Sequence, residues 1–116
     1  MSITLYHNPR CSKSRETLKL LQERGIEPEI REYLKDVPTA DEIKAVLDAL
    51  GMAPRELLRV KESEYKDAGL DNQDLDDAAV IQAMTLYPRL IERPIVINGD
   101  RARIGRPPES VLEILA

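Results

Sequence analysis

The sequence has one cysteine, no long apolar run and no excess of positive charge, and each shortage excludes a class of protein. A single cysteine cannot close a disulfide within the chain. No apolar run approaches the roughly 18 residues of a membrane-spanning helix, and the first residues lack the segments of a secretion signal. Because 17 Lys and Arg residues face 21 Asp and Glu residues, broad contact with nucleic acid is not expected. We therefore expect a cytoplasmic protein that binds neither membranes nor nucleic acid.

The length of 116 residues predicts a single domain that spans 1–116. Residues 3–6 favour a β-strand, and the Asn-Pro pair that follows is a turn signal. A helix is predicted to begin at Ser12, and a second strand is predicted over 29–34. A strand, a helix and a strand joined this closely indicate a parallel, right-handed βαβ unit.

A helical insertion is predicted over residues 37–90. Thr39 and Glu42 form a capping-box pattern ahead of apolar residues at helical spacing, and Gly51 is a helix stop signal. Residues 71–77 are strongly acidic and predict a solvated loop before the last helix of the insertion.

The C-terminal part predicts a β-hairpin and a final helix. Residues 94–97 and 101–104 are the expected strands, and Asn98-Gly99 is a strong turn signal between them. Pro107 opens the helix. Its expected inward side chains are Val111, Leu112 and Leu115. A βαβ unit, a helical insertion and a ββα unit together predict an α/β fold with a thioredoxin- or glutaredoxin-like mixed sheet.

The one cysteine lies in a basic stretch, HNPRCSKSR, at residues 7–15. Cys11 follows Arg10 at the predicted strand-to-helix turn, and Arg15 lies in the first turn of the helix. A helix N-terminus and nearby cations favour the thiolate, which is the nucleophilic form of cysteine, and the Ser14 hydroxyl can donate to the sulfur. We predict a reactive Cys11, and the alternative is a small buried side chain.

Residue spacing argues against three familiar kinds of cysteine site. A cysteine-dependent phosphatase loop needs arginine six positions after the cysteine, where this chain has Thr17, and Arg15 comes too early. A dithiol oxidoreductase needs a second cysteine where this chain has Ser14, so that any redox cycle must use a thiol from another molecule. Only His7 and Cys11 are soft metal ligands, so no metal site is expected.

Four separated motifs carry a family resemblance. HNPRCSKSRETL, RELLR, ERPIV and GRPPESVLEIL occur in this order along nearly the whole chain. They resemble the glutaredoxin-coupled arsenate reductases of the ArsC type, and most of all the short arsenate-reductase-like members. The resemblance implies the thioredoxin-like fold with a helical insertion, reduction of arsenate to arsenite, and no bound cofactor. In that family the cysteine forms a thiol-arsenate adduct, glutathione attacks it as co-substrate, and glutaredoxin resolves the mixed disulfide.

The resemblance also implies roles for individual residues. Cys11 corresponds to the nucleophile, Arg59, Arg93 and Arg106 correspond to the arginines that hold the oxyanion, and Pro94 corresponds to a proline that is usually cis and faces the sulfur. Three cations are physically reasonable, because one negative charge at about 4 Å from a thiolate costs about 4 kcal/mol at an effective dielectric constant of ~20.

Some assignments stay open at this stage. His7, which resembles a family histidine near the cysteine, is either a proton carrier or a structural group. Gly105 stands where some relatives carry a cysteine. Two other functions remain: a thiol oxidoreductase that acts on a glutathione adduct, and a transcriptional regulator of the Spx type that binds RNA polymerase, although such regulators typically carry a second cysteine at the position of Ser14. We expect a monomer.

Overall fold

A computed structural model describes residues 3–115 and contains a four-stranded mixed sheet. The strands are β1 (Ile3–Tyr6), β2 (Glu29–Arg31), β3 (Ile95–Asn98) and β4 (Arg101–Ile104). They are ordered β2-β1-β3-β4, with β1 parallel to β2 and with β3 antiparallel to both of its neighbours. These are the directions of a βαβ unit followed by a β-hairpin, and the predicted fold class is confirmed.

Helices occupy the other predicted positions, and two short helices, at Ser63–Asp67 and Pro88–Leu90, were not predicted. They are α1 (Ser12–Glu23), α2 (Ala40–Leu50), α3 (Ser63–Asp67) and α4 (Asp77–Leu86), with short 3₁₀ helices at Pro54–Leu57, Pro88–Leu90 and Pro108–Ile114. The chain divides into two compact units: the first comprises the described part of Met1–Asp36 and Arg93–Ala116, and the second comprises Val37–Glu92. The sheet belongs to the first unit, whereas the second unit is helical.

In the first unit, α1 and the C-terminal 3₁₀ helix pack on one face of the sheet. The buried cluster that joins them is Ile3, Leu5, Leu21, Val96, Val111 and Ile114. Each fully buried aliphatic side chain of this size contributes about 1.5–3 kcal/mol. This packing fixes α1 against β1 and β3 and therefore fixes the position at which the helix begins.

The second unit is organised by local signals and one backbone clamp. Thr39 and Glu42 form the predicted capping box, and Gly51 ends α2 in the left-handed conformation at φ +70°. A backbone bridge pairs Leu58 with Ile91, and both side chains are buried. The clamp joins the segment after the first 3₁₀ helix to the end of the unit.

Three sequence expectations differ from the structure. Strand β2 ends at Arg31 rather than at position 34, because the Glu32 carbonyl accepts the amides of Lys35 and Asp36 and closes a turn. Tyr33, in that turn, is buried and stacks on Tyr6 at 6.3 Å between ring centroids.

The other two differences lie near the C-terminus. Asn98 pairs with Arg101, so the turn residues are Gly99 and Asp100 rather than Asn98-Gly99, and Gly99 takes the left-handed φ of +63°. The final helix is 3₁₀, in which residues three apart share one side. Its buried residues are Pro108, Val111 and Ile114, whereas Leu112 and Leu115 are only partly buried.

Replacing Thr39 with alanine tests the capping box. The hydroxyl accepts the Glu42 amide at 3.1 Å, and its loss leaves a helix-terminal N–H without its partner. We expect Thr39→Ala to lower the free energy of unfolding by about 1 kcal/mol in urea titrations followed by circular dichroism. Thr39→Ser keeps the hydroxyl and is expected to stay close to wild type. Equal losses in both variants would contradict the role of the cap.

Candidate active site

Cys11 caps the N-terminus of α1, directly after the loop that leaves β1. Its backbone is extended at φ −96° and ψ 124°, and its carbonyl accepts the Arg15 amide at 3.0 Å, which begins the helix. The residue is 8% exposed. The structure therefore places Cys11 at the predicted strand-to-helix turn, with only a small part of the residue facing solvent.

Arg106 brings a positive charge to the sulfur from a position 95 residues away in the sequence. Its Nη2 lies 3.9 Å from the Cys11 Sγ, and its Nε donates to the Arg93 carbonyl oxygen at 2.8 Å. The second bond fixes the direction of the guanidinium. The Nε and Nη1 atoms of Arg93 are themselves buried. A hydrogen bond to the backbone therefore directs the guanidinium of Arg106 at the sulfur, where it can donate to that atom.

Ser14 and His7 form a buried pair beside the cysteine. The Ser14 Oγ lies 2.6 Å from the His7 Nδ1 and accepts the Asn8 amide at 3.0 Å. Ser14 is fully buried, and His7 is 7% exposed. The predicted donation from Ser14 to the sulfur is therefore wrong, because the hydroxyl is engaged by His7 and Asn8 instead. Both residues support the loop that carries Cys11.

His7 is held as a neutral imidazole. Burial lowers its pKa from the ordinary 6.5, the Glu32 carboxylate opposes that change, and the Arg15 guanidinium adds to it. A neutral ring bonded to Ser14 has the contacts of a structural group, which was one of the two roles open from the sequence.

Asn8 organises the loop before Cys11 and was not singled out from the sequence. Its carbonyl accepts the Cys11 amide at 3.0 Å, and its Oδ1 accepts the Arg10 amide at 3.1 Å. Arg15 donates from Nη1 to the Pro9 carbonyl at 2.9 Å, so this predicted site residue also braces the loop. The sequence signal for this role is the Asn-Pro pair, because an asparagine side chain commonly bonds to the backbone two residues onward.

The backbone at position 105 passes so close to neighbouring side chains that only glycine fits there. The Arg93–Pro94 peptide bond is cis, as the resemblance implies, and the Gly105 amide donates to the Pro94 carbonyl at 2.9 Å. A Cβ at position 105 would lie 2.5 Å from the Thr17 Oγ1 and 2.8 Å from the Pro94 Cγ. The missing side chain therefore lets the segment before Arg106 pass between α1 and the proline.

Comparisons with known proteins point to one family. Residues 6–114 match the model of the ArsC family. The chain is 52% identical to the arsenate reductase of Haemophilus influenzae, over 99% of this chain and 100% of that protein. It is 54% identical to the uncharacterized protein YfgD of Escherichia coli K12, over 97% and 96% of the two chains. The solved arsenate reductase of Vibrio cholerae matches with a TM-score of 0.96 and 50% identity, over 99% and 98% of the two chains.

This chain belongs to the ArsC family. Two of the three arginines that the resemblance assigns to the oxyanion, Arg93 and Arg106, lie in the same unit as Cys11 and are joined to each other by a hydrogen bond. Arg59 lies in the second unit, where its Nη1 is 2.6 Å from the Glu62 Oε1 and its Nε is 3.9 Å from the Glu92 Oε1. The two carboxylate partners could not be found from sequence spacing.

A cleft opens beside the cysteine loop of this ArsC-family protein. Its volume is about 270 Å³, and His7 and Asn8 form part of its wall. Arg10 and Lys35 contribute positive charge to it, and Glu32 contributes negative charge. The walls of the cleft therefore carry charge of both signs.

Two features are absent from the described residues 3–115. No three His, Cys, Asp or Glu side chains gather into a group that could hold a metal ion. No helix in this part of the chain is both long enough and apolar enough to cross a membrane.

Filling the space at Gly105 should destabilise the fold through Thr17. We expect Gly105→Ala to lower the free energy of unfolding by about 1–3 kcal/mol, because the added methyl overlaps the Thr17 hydroxyl. Thr17→Ala removes that hydroxyl, so the double variant should lose less stability than the two single changes added together. Strictly additive losses in urea titrations would contradict the close approach.

The lowered pKa of His7 predicts a pH dependence of stability. The unfolded chain protonates His7 near its ordinary pKa of 6.5, and the folded chain protonates it only at lower pH. Below about pH 6.5 the unfolded state therefore binds more protons, and the free energy of unfolding falls as the pH drops towards the folded pKa. The drop in melting temperature from about pH 7.5 to about pH 5.5 should be larger in wild type than in His7→Gln. Equal slopes would show that His7 does not cause the change.

Proposed function

We propose that this protein reduces arsenate to arsenite, with Cys11 as the nucleophile and with glutathione and glutaredoxin as the electron donors. The observation that carries the proposal is the position of the Arg106 guanidinium, 3.9 Å from the sulfur of Cys11, which is the only cysteine of the sequence. The near full-length similarity to proteins named arsenate reductase supports the choice of substrate.

The first step is attack of the Cys11 thiolate on arsenic(V). A sulfur–arsenic bond forms, and an oxygen of arsenate leaves as water after protonation. Arsenate carries one or two negative charges near neutral pH, so its approach to a thiolate needs cations. Arg59, Arg93 and Arg106 supply them in this proposal, and the planar fork of arginine suits two oxygens of one tetrahedral anion.

The second step needs a thiol from outside the chain, because Cys11 is the only cysteine. Glutathione thiolate attacks the adduct, and the two sulfurs together give up two electrons as they form a mixed disulfide. Arsenic(V) is thereby reduced to arsenic(III) and leaves as arsenite. Glutaredoxin then takes the glutathione in a thiol–disulfide exchange and restores the Cys11 thiol.

The cleft beside the loop supports glutathione as co-substrate. Glutathione carries two carboxylates and one ammonium group, and the walls of the cleft offer Arg10, Lys35 and Glu32. Opposite charges at short range favour such a zwitterion over an uncharged thiol. A monomeric state and a cytoplasmic location remain predictions from the sequence.

Arsenite formation by the purified chain with glutathione and glutaredoxin tests the proposal. Cys11→Ser should abolish turnover. Arg106→Ala should lower kcat/KM for arsenate by about 10- to 150-fold, the size of a lost charge-assisted hydrogen bond, and should slow alkylation of Cys11 by iodoacetamide.

Arg103→Ala is the matched control. Arg103 is an arginine of β4 whose Nε pairs with the Glu113 Oε2 at 2.9 Å, so its loss should leave both readouts near wild type. Absence of arsenite formation by the wild-type chain would reject arsenate as the substrate. Activity on a glutathionylated peptide in that case would favour the other thiol oxidoreductase, and capture of RNA polymerase without activity would favour the regulator.

A further inference from the structure

Arg59 is enclosed by negative charge within the second unit. Its guanidinium contacts Glu62 at 2.6 Å and Glu92 at 3.9 Å. The side chains are largely covered, at 24% exposure for Arg59, 17% for Glu62 and 28% for Glu92. Ion pairs at this depth are screened less than surface pairs.

Glu62 is shared between two arginines. Its Oε1 pairs with Arg59, and its Oε2 lies 3.3 Å from the Arg89 Nη2. The other terminal nitrogen of Arg89 lies 3.6 Å from the Glu64 Oε2. The pKa of Glu64 is lowered, first by a hydrogen bond to its own backbone amide, so this carboxylate is ionised at neutral pH. The network thus contains two guanidinium groups and three carboxylates.

The backbone holds this arrangement in place. The Arg59 amide donates to the Leu90 carbonyl at 2.7 Å, and the Glu92 amide donates to the Leu57 carbonyl at 2.9 Å. The Glu62 amide donates to the Arg59 carbonyl at 3.2 Å, which places Glu62 in the same turn. The pairing is therefore part of the fold of the second unit rather than a chance meeting of long side chains.

The network weakens the binding of an external anion by Arg59. One terminal nitrogen of the guanidinium already donates to Glu62, so an oxyanion that binds this nitrogen competes with Glu62 for it. The negative charge of Glu62 beside the guanidinium also opposes the approach of an anion. The carboxylate thus competes with the substrate for the same cation.

We propose that Glu62 is a positioning residue that acts through Arg59, as an internal counter-ion that competes with an oxyanion for its guanidinium. This inference rests on the proposed function, which assigns Arg59 to oxyanion binding. Glu62 weakens the binding of every tetrahedral oxyanion at that site and sets the concentration at which arsenate is reduced. Arg89, by holding the second oxygen of Glu62, limits how tightly Glu62 binds Arg59.

Glu62→Gln tests the inference in the full chain with glutathione and glutaredoxin. The amide keeps the shape of the side chain and removes its charge. We expect KM for arsenate to fall about 3- to 10-fold while kcat stays within about 2-fold, because the gain affects ground state and transition state alike. An unchanged or raised KM overturns the proposal, since a purely orienting Glu62 would raise it.

Two further variants separate this role from a general effect of charge or folding. Glu64→Gln removes a neighbouring carboxylate that pairs with Arg89, and its KM should stay near wild type. Arg89→Gln should raise KM for arsenate, because Glu62 then loses its second arginine partner and pairs more tightly with Arg59. If Glu62→Gln does not fold, as judged by its melting curve, a lowered or unchanged KM in Arg89→Gln overturns the proposal by itself.

Arg59→Ala distinguishes failure of the inference from failure of the proposed function. Sulfate binding to Cys11→Ser protein, measured by calorimetry, reports oxyanion affinity without turnover. If Arg59→Ala weakens sulfate binding and Glu62→Gln strengthens it only when Arg59 is present, the inference is supported. If Arg59→Ala weakens binding and Glu62→Gln has no effect, only the inference fails. If Arg59→Ala has no effect, the assigned role of Arg59 fails and the inference fails with it.

Discussion

The proposed chemistry of this protein depends on one interaction, the contact between the Arg106 guanidinium and the Cys11 sulfur. Neither residue is held by the other alone. Cys11 is fixed by the start of α1 and by the Asn8 carbonyl, and Arg106 is fixed by the Arg93 carbonyl. A buried cysteine whose sulfur has a directed cation at 3.9 Å differs in its surroundings from a cysteine that only fills space.

The features that were predictable from sequence depend on few neighbouring residues. The Thr39 capping box, the Gly51 helix end and the position of Cys11 at the start of α1 all follow from local patterns. The hairpin turn was misplaced because the pairing of Asn98 with Arg101 is set by the register of β3 and β4. Such register is decided by packing along the whole strand rather than by the turn pair alone.

The candidate site shows the same limit. Motif resemblance supplied Cys11 and Arg106, but the engagement of Ser14 by His7 and the partners of Arg59 required coordinates. Hydrogen bonds and ion pairs between separated residues depend on side-chain direction, which periodicity does not report. A basic residue in a motif thus predicts a positive charge, whereas the residues around it determine how strongly that charge acts on a ligand.

The close approach at Gly105 bears on how this family can change in evolution. A side chain there would meet the Thr17 hydroxyl on α1 first and the Pro94 ring next in this protein. A lineage that acquires a larger residue at position 105 therefore needs a compensating change on the helix. The two positions are far apart in the alignment of any such lineage, yet they are expected to vary as a pair, and a smaller partner on α1 would accompany a cysteine in the loop.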